Sequence, residues 1–119
     1  TGGLSLYTLQ PCRVLDTRNP AGSPPFTGTL AVDVVDSGCG APSTAQSYVF
    51  NATVVPQASH GYLTMWQQGL SQPLAANLNS SDGAITGNMA LVPTTNGWID
   101  AYFSGVTYLV LDLFGYFAP

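Results

Sequence analysis

The chain contains neither lysine nor glutamate, and its two basic residues are both arginine. Charged residues make up only 7% of the 119 positions, and the formal net charge is −4. Binding to nucleic acid or attraction to anionic lipid requires a basic surface, which two arginines cannot form. The sequence therefore predicts no nucleic-acid partner and no electrostatic attraction to a membrane surface.

Residues that carry catalysis or bind metal ions are also scarce. His60 is the one histidine, no GxSxG motif accompanies it, and we expect it to be an exposed loop residue. Zinc needs more His or Cys ligands than the chain has, and the aspartates do not follow the spacing of a calcium loop. The sequence predicts no enzyme and no cofactor.

Long hydrophobic runs are missing as well. The longest candidate, VTYLVLDLFGYF at residues 106–117, carries Asp112 and is shorter than the roughly 18 residues of a membrane-spanning helix. No membrane span is therefore predicted.

Turn and strand residues are abundant, with 13 glycines, nine prolines and 45% hydrophobic residues. Alternating patterns separated by turns are typical of an antiparallel all-β domain, and Pro11 is expected to separate the first two strands. We predict one domain over residues 1–119, a β-sandwich of jelly-roll or immunoglobulin-like type with about eight or nine short strands. The predicted strands include 4–9, 13–17, 29–35, 45–55, 61–67, 84–93, 97–103 and 106–117.

Cys12 and Cys39 are predicted to form one disulfide, which indicates an oxidising, extracellular location. In the chain-entropy model, closing a loop of about 28 residues contributes roughly 3–4 kcal/mol to stability. The alternative is a pair of buried free thiols.

The segment PCRVLDTR holds both arginines, and we interpret it as a structural ion-pair cluster. Asp112 lies in an apolar strand, and a buried aspartate needs a partner. We expect Arg13 or Arg18 to pair with Asp112, and Asp16 to bond backbone amides or the other arginine. A ligand-binding arginine is the alternative.

Four aromatic residues lie on single faces of two predicted strands: Tyr62 and Trp66 on one, Trp98 and Tyr102 on the other. Three interpretations stay open, namely a second core layer, a contact between subunits, and a platform that stacks on sugar rings.

Two sequons, Asn51-Ala-Thr and Asn79-Ser-Ser, are candidate glycosylation sites. Asn79 lies beside a turn and is the favoured site. Asn51 lies in the middle of a strand, where its amide is expected to bond the backbone instead.

Several segments resemble, in order, a domain found in secreted and surface proteins of bacteria, often in tandem or attached to extracellular enzymes. The matching segments are PCRVLDTR, CGAPSTAQSYVFNATVV, GYLTMWQQGLSQPLAANLN, NMALVP with NGWIDAYF, and YLVLDLFGYF. The resemblance covers about residues 9–117 and implies an extracellular, non-catalytic module. The cysteine pair fits the versions of the family that carry one cysteine before the RVxDTR motif and another before GxP.

Residues 1–9 are expected to form an extra strand relative to that family pattern, and such a strand could dock on or exchange with a neighbouring copy. We therefore predict a structural or interaction module, a self-assembling subunit or repeat of a surface filament, matrix or cell-surface protein. Its partner would be a second copy, bound through β-strand and apolar contacts. The alternative is a carbohydrate-binding module whose partner is a polysaccharide.

Overall fold

The computed structural model describes residues 3–19, 22–58, 61–73, 78–80 and 82–119. Within these ranges the protein is all-β and contains no helix, which confirms the predicted fold class. Its seven strands are β1 (Ser5–Asp16), β2 (Phe26–Asp33), β3 (Ser47–Pro56), β4 (Gly61–Gln67), β5 (Leu78–Ser80), β6 (Thr86–Pro93) and β7 (Trp98–Ala118).

The long strand β7 is the centre of the antiparallel sheet, because four other strands pair with it. Its first half, residues 98–107, lies between β2 and β4. Its second half, residues 107–118, lies between β1 and β3. Strand β5 extends the sheet beyond β4, and β6 extends it beyond β3. The molecule therefore consists of two half-sheets that share one strand.

The two half-sheets curl toward each other until β6 lies close to β4 and β5, so that the sheet is nearly closed and barrel-like. The sequence predicted a sandwich of more and shorter strands, and two pairs of predicted strands prove to be continuous. Pro11 does not end β1, because the ladder to β7 shifts register between Thr8 and Cys12. Proline is tolerated at such an irregularity of an edge strand, where no amide donor is needed. Strand β7 likewise runs through Gly105 from one half-sheet into the other.

One hydrophobic core fills the space between the half-sheets. In β3, for example, alternate residues point inward and are buried, as the two-residue period of a strand requires. The largest buried apolar side chains are Tyr48, Phe50, Phe103, Leu63, Ile99, Leu109, Leu111 and Leu113. Because this pattern fixes only the inward positions, it leaves the outward positions free for other roles.

Cys12 and Cys39 form the predicted disulfide, with their Cα atoms 5.7 Å apart. The bond joins β1 to the loop that follows β2. It holds the edge strand at the point where the register shifts, so residues 5–8 are the part of β1 that extends beyond this anchor.

Candidate functional site

The outward side of the first half-sheet carries a row of aromatic and acidic side chains. Ile99 and Ala101 are buried in the core, so the alternating Trp98, Asp100 and Tyr102 point outward and are half-buried. On the neighbouring strand β2, Asp33 pairs with Trp98. We call these residues, together with Tyr62 on β4, the aromatic face.

A tight turn between β6 and β7 fixes the position of Trp98. The hydroxyl of Thr94 accepts a hydrogen bond from the Gly97 amide (3.1 Å) and donates one to the Trp98 carbonyl (3.0 Å), while the Asn96 side chain accepts one from the Trp98 amide (3.0 Å). Gly97 adopts a φ of 82°, and a Cβ at this position would lie 2.8 Å from the Cβ of Val35. The turn therefore requires glycine, and its three hydrogen bonds fix the backbone position of Trp98 at this end of the aromatic face.

The other end of the aromatic face is a pair of tyrosines. The rings of Tyr62 and Tyr102 have centroids 5.9 Å apart and are tilted by 48°. The Tyr62 amide donates a hydrogen bond of 3.0 Å to the hydroxyl of Ser104, which fixes β4 against β7 at this point. Tyr62 is 38% exposed, so the pair offers ring surface to the solvent.

Asp100 differs from the other three aspartates that lie in strands. Asp16 and Asp112 pair with arginines, and the Asp33 carboxylate accepts the Asp36 amide (3.1 Å). In the described part of the chain, the Asp100 carboxylate has neither a hydrogen bond nor an ion pair, although aromatic residues flank it along β7. Its acceptor oxygens are therefore available to a ligand.

Trp66 does not belong to the accessible aromatic face. Its side chain is only 8% exposed, and its indole N–H donates a hydrogen bond of 3.0 Å to the Leu70 carbonyl. The turn after β4 covers the ring, so Trp66 cannot stack on a sugar in this structure. The expected four-residue aromatic cluster is thus reduced to Tyr62, Trp98 and Tyr102.

The outward side of the second half-sheet is aliphatic. Ala90 and Val92 are buried, so the alternating Met89 and Leu91 point outward and are 63% and 58% exposed. Leu91 pairs with Val49 across the strands.

On the far side of β7, Leu6 pairs with Phe117 and is 53% exposed. We call Leu6, Val49, Met89, Leu91 and Phe117 the aliphatic face.

The first residues of β1 pack tightly on the end of β7. A Cβ at Gly115 would lie 2.7 Å from the Tyr7 carbonyl oxygen and 3.5 Å from a Leu6 methyl group, so glycine permits this close approach. The Tyr7 ring stacks on Tyr116, with centroids 5.3 Å apart. Its hydroxyl donates a 3.3 Å hydrogen bond to the Pro119 carbonyl. Residues 5–8 therefore pair within their own chain in this structure.

The residues of the expected ion-pair cluster come together at the edge of the aliphatic face. Arg13 Nε lies 3.0 Å from Asp112 Oδ1, and an Arg13 terminal nitrogen lies 3.4 Å from Asp16 Oδ2. Arg18 contacts both oxygens of Asp16, at 2.9 and 2.8 Å. The arrangement differs from the expected buried pair, because Asp112 points outward from β7 and the Arg13 side chain is 52% exposed.

The hydrogen bonds from Arg18 lower the pKa of Asp16 from 3.8 to about 2, and the nearby charges of both arginines act in the same direction. The hydrogen bond and charge of Asp112 raise the pKa of Arg13. Asp16 and the two arginines are therefore charged at neutral pH, and the ion pairs of the cluster leave little net charge on this side of the sheet.

The two sequon asparagines have different surroundings. Asn79 is exposed on β5 and pairs across from Tyr62. Asn51 is half-buried, and its amide lies 3.5 Å from the Thr53 hydroxyl rather than bonding the backbone. Asn79 therefore stays the favoured glycosylation site. His60 lies outside the described residues.

The rest of the described surface offers little for chemistry. No group of three or more His, Cys, Asp or Glu side chains in the described ranges could hold a metal ion. Two open depressions of about 520 and 550 Å³ are present, the first of them lined by uncharged residues such as Gln46, Gln67 and Thr95. No helix of the described chain is long and apolar enough to cross a membrane.

These features define a disulfide-linked, barrel-like β-domain with one aromatic and one aliphatic outer face. Neither a family model, nor a curated protein, nor a solved structure matches the chain.

Sequence reasoning did not single out Asp100 or the aliphatic residues of β6. The alternation over residues 97–103 does place Asp100 on the same side as Trp98, and this was the available signal. Residues 89–93 of β6 are apolar on both sides, so this part of the sequence gives no contrast from which an exposed face could be recognised.

Proposed function

We propose that this chain is a non-catalytic, extracellular structural module that associates with further copies of itself through the aliphatic face. The observation that carries the proposal is the exposure of Met89, Leu91 and Leu6 on one side of one half-sheet. Exposed apolar patches on soluble proteins mark interaction surfaces, because burying one such side chain contributes about 1.5–3 kcal/mol.

A second copy is the partner that the charges favour. The aspartate nearest to the aliphatic face, Asp112, is neutralised by Arg13 in the same row of the sheet. Two copies can therefore bring these faces together without the repulsion that a net charge of −4 would otherwise cause. A low surface charge in general favours association over solubility.

The free edge of β1 provides a second contact, which growth beyond a dimer requires. Among the described strands β1 pairs with β7 alone, and residues 5–9 contain no charged side chain. Monomeric proteins usually protect such edges with charges, because an open edge accepts a strand from another molecule. A filament or matrix subunit would use this edge, either by strand addition or by exchange of residues 1–9 between copies.

The disulfide and the sequence resemblance both support an extracellular location at a bacterial surface. Disulfides persist in oxidising compartments and are rare in the cytosol. Mass spectrometry of secreted and cell-wall fractions from the source organism would test the location directly.

Sedimentation velocity over a concentration series tests the self-association. We expect the unmodified chain to form dimers and larger species as its concentration rises. Leu91→Asp places a charge on the aliphatic face and should weaken association by about 10- to 100-fold. Leu70→Asp is the matched control, because Leu70 is 61% exposed but lies in the turn after β4.

Monomers at every concentration, seen also by negative-stain microscopy, would overturn the proposal. Equal weakening of self-association by Leu91→Asp and Leu70→Asp would also overturn the proposal, because the added charge and not its position on the aliphatic face would then explain the result.

A further inference from the structure

We infer that the aromatic face binds an uncharged polysaccharide chain, a function that goes beyond self-association and uses the other side of the sheet. The face combines ring surfaces with the Asp100 carboxylate, which has no hydrogen-bond or ion-pair partner among the residues that the structure describes. Sugar rings present C–H groups that pack on aromatic rings, and hydroxyl groups that donate hydrogen bonds to carboxylate oxygens. Trp98, Asp100 and Tyr102 supply both kinds of contact along one strand.

The shape of the aromatic face suits an extended chain rather than the end of one. Trp98 and Tyr102 are four residues apart on β7, a separation of about 13–14 Å at the rise of a β-strand. Asp100 lies midway between them, and Tyr62 widens the surface beside Tyr102. Neither of the two depressions described above is lined by these residues. The row therefore suits a chain that lies along β7.

The charges of the face define the class of polysaccharide. Asp33 and Asp100 are its charged residues, and both arginines belong to the ion-pair cluster at β1. An acidic polymer would meet two carboxylates without a cation to balance them, so uronate and sulfated chains are disfavoured. Neutral hexose or N-acetylhexosamine chains avoid this cost and still supply hydroxyl donors.

A second copy of this chain is a poorer partner for the aromatic face than a glycan. The chain has no lysine, and its Arg13 and Arg18 side chains already bond aspartates. No other side chain of a second copy carries a fixed positive charge to pair with Asp100. The aromatic face therefore finds no complementary charge on a second copy, whereas the aliphatic faces of two copies can pack against each other.

Isothermal titration with neutral hexasaccharides tests the inference, with cellohexaose, N-acetylated chitohexaose and mannohexaose as probes and polygalacturonate as the acidic comparison. We expect at least one neutral probe to bind and polygalacturonate not to bind. Trp98→Ala and Tyr102→Ala should each weaken binding about tenfold or more, and Asp100→Asn should weaken it several-fold with an unchanged melting temperature. Asp100→Asn preserves the shape of the side chain, so its effect cannot be attributed to unfolding.

Tyr7→Ala is the matched control, because Tyr7 is 42% exposed but lies on β1 in the other half-sheet. Its binding of the neutral probe should equal that of the unmodified chain. The inference is overturned if no neutral hexasaccharide binds, if the three variants bind as well as the control, or if an oligolysine peptide binds the face in preference to the sugars.

Discussion

The two outer faces of this molecule stand on one continuous strand and over one core, yet their chemistry is opposite. The aromatic face on the first half of β7 has rings and unneutralised carboxylates, and both tryptophans of the chain lie in that half-sheet. The aliphatic face on the second half has exposed Met and Leu side chains, and the ion-pair cluster lies at its border. Their inward sides are mainly apolar.

The fold constrains mainly the inward half of the positions in each strand. Ile99 and Leu111 lie in different half-sheets, and both are completely buried because the shared core requires them. Their neighbours Asp100 and Asp112 point outward, where Asp112 bonds Arg13 and Asp100 has no partner within the described ranges. Equivalent outward positions have thus acquired different roles.

The largest expected effect distinguishes the covered tryptophan from the accessible one. Trp66→Ala should lower the free energy of unfolding by about 3–5 kcal/mol, because it removes a buried ring and leaves the Leu70 carbonyl without its donor. Trp98→Ala should cost about 1 kcal/mol, since that ring is half-buried. Urea denaturation of both variants measures the difference, and equal costs would contradict the assignment of Trp98 to an accessible face.

Removal of the disulfide should have the next largest effect and should act on one half-sheet first. The double variant Cys12→Ala with Cys39→Ala is expected to lose roughly 3–4 kcal/mol of stability, by the chain-entropy model. Hydrogen exchange should show faster opening of β1 than of β4, because the bond anchors β1. Uniform acceleration in both half-sheets would show that β1 is not an independently opening edge.

The ion-pair cluster should contribute less than either of these. Arg13→Ala breaks the link between β1 and β7 and should cost up to about 1 kcal/mol, the range of solvent-exposed pairs. Arg18→Ala affects a contact within one short segment and should cost less. Thermal denaturation of both variants measures the two losses of stability. A larger loss from Arg18→Ala would show that the Arg18–Asp16 contact stabilises the fold more than the Arg13–Asp112 contact does.

The smallest effect is a pH dependence centred on Asp16. Its folded pKa of about 2 lies below the ordinary value of 3.8, so its ionised form stabilises the fold above pH 3.8. That contribution is lost as the pH falls from 3.8 to about 2. Carboxyl NMR titration should give the low pKa in the unmodified chain and a value closer to 3.8 in Arg18→Ala. An unchanged pKa in the variant would exclude Arg18 as the cause.

Much of the fold could be predicted from the sequence, because alternation and turn residues report local structure. The all-β class, the disulfide and most strand positions follow from such local patterns. The continuity of β1 through Pro11 could not be predicted, since it depends on the register against β7, which is a tertiary feature.

The candidate faces were less predictable for the same reason. Trp66 and Trp98 occur in similar alternating patterns. Trp66 is buried because the turn after β4 covers it, whereas Trp98 stays partly accessible, and the sequence pattern does not reveal this difference. The exposure of Met89 and Leu91 depends on which strands lie beside β6, and no local pattern contains that information.

The most direct test of the central claim, that one face associates with other copies and the other binds glycan, measures both properties on the same two variants. Sedimentation velocity and hexasaccharide titration would be applied to Leu91→Asp and Asp100→Asn. We expect Leu91→Asp to lose self-association and keep glycan binding, and Asp100→Asn to lose glycan affinity and keep self-association. Loss of both properties in either variant, while it remains folded, would show that the two faces are not separate sites.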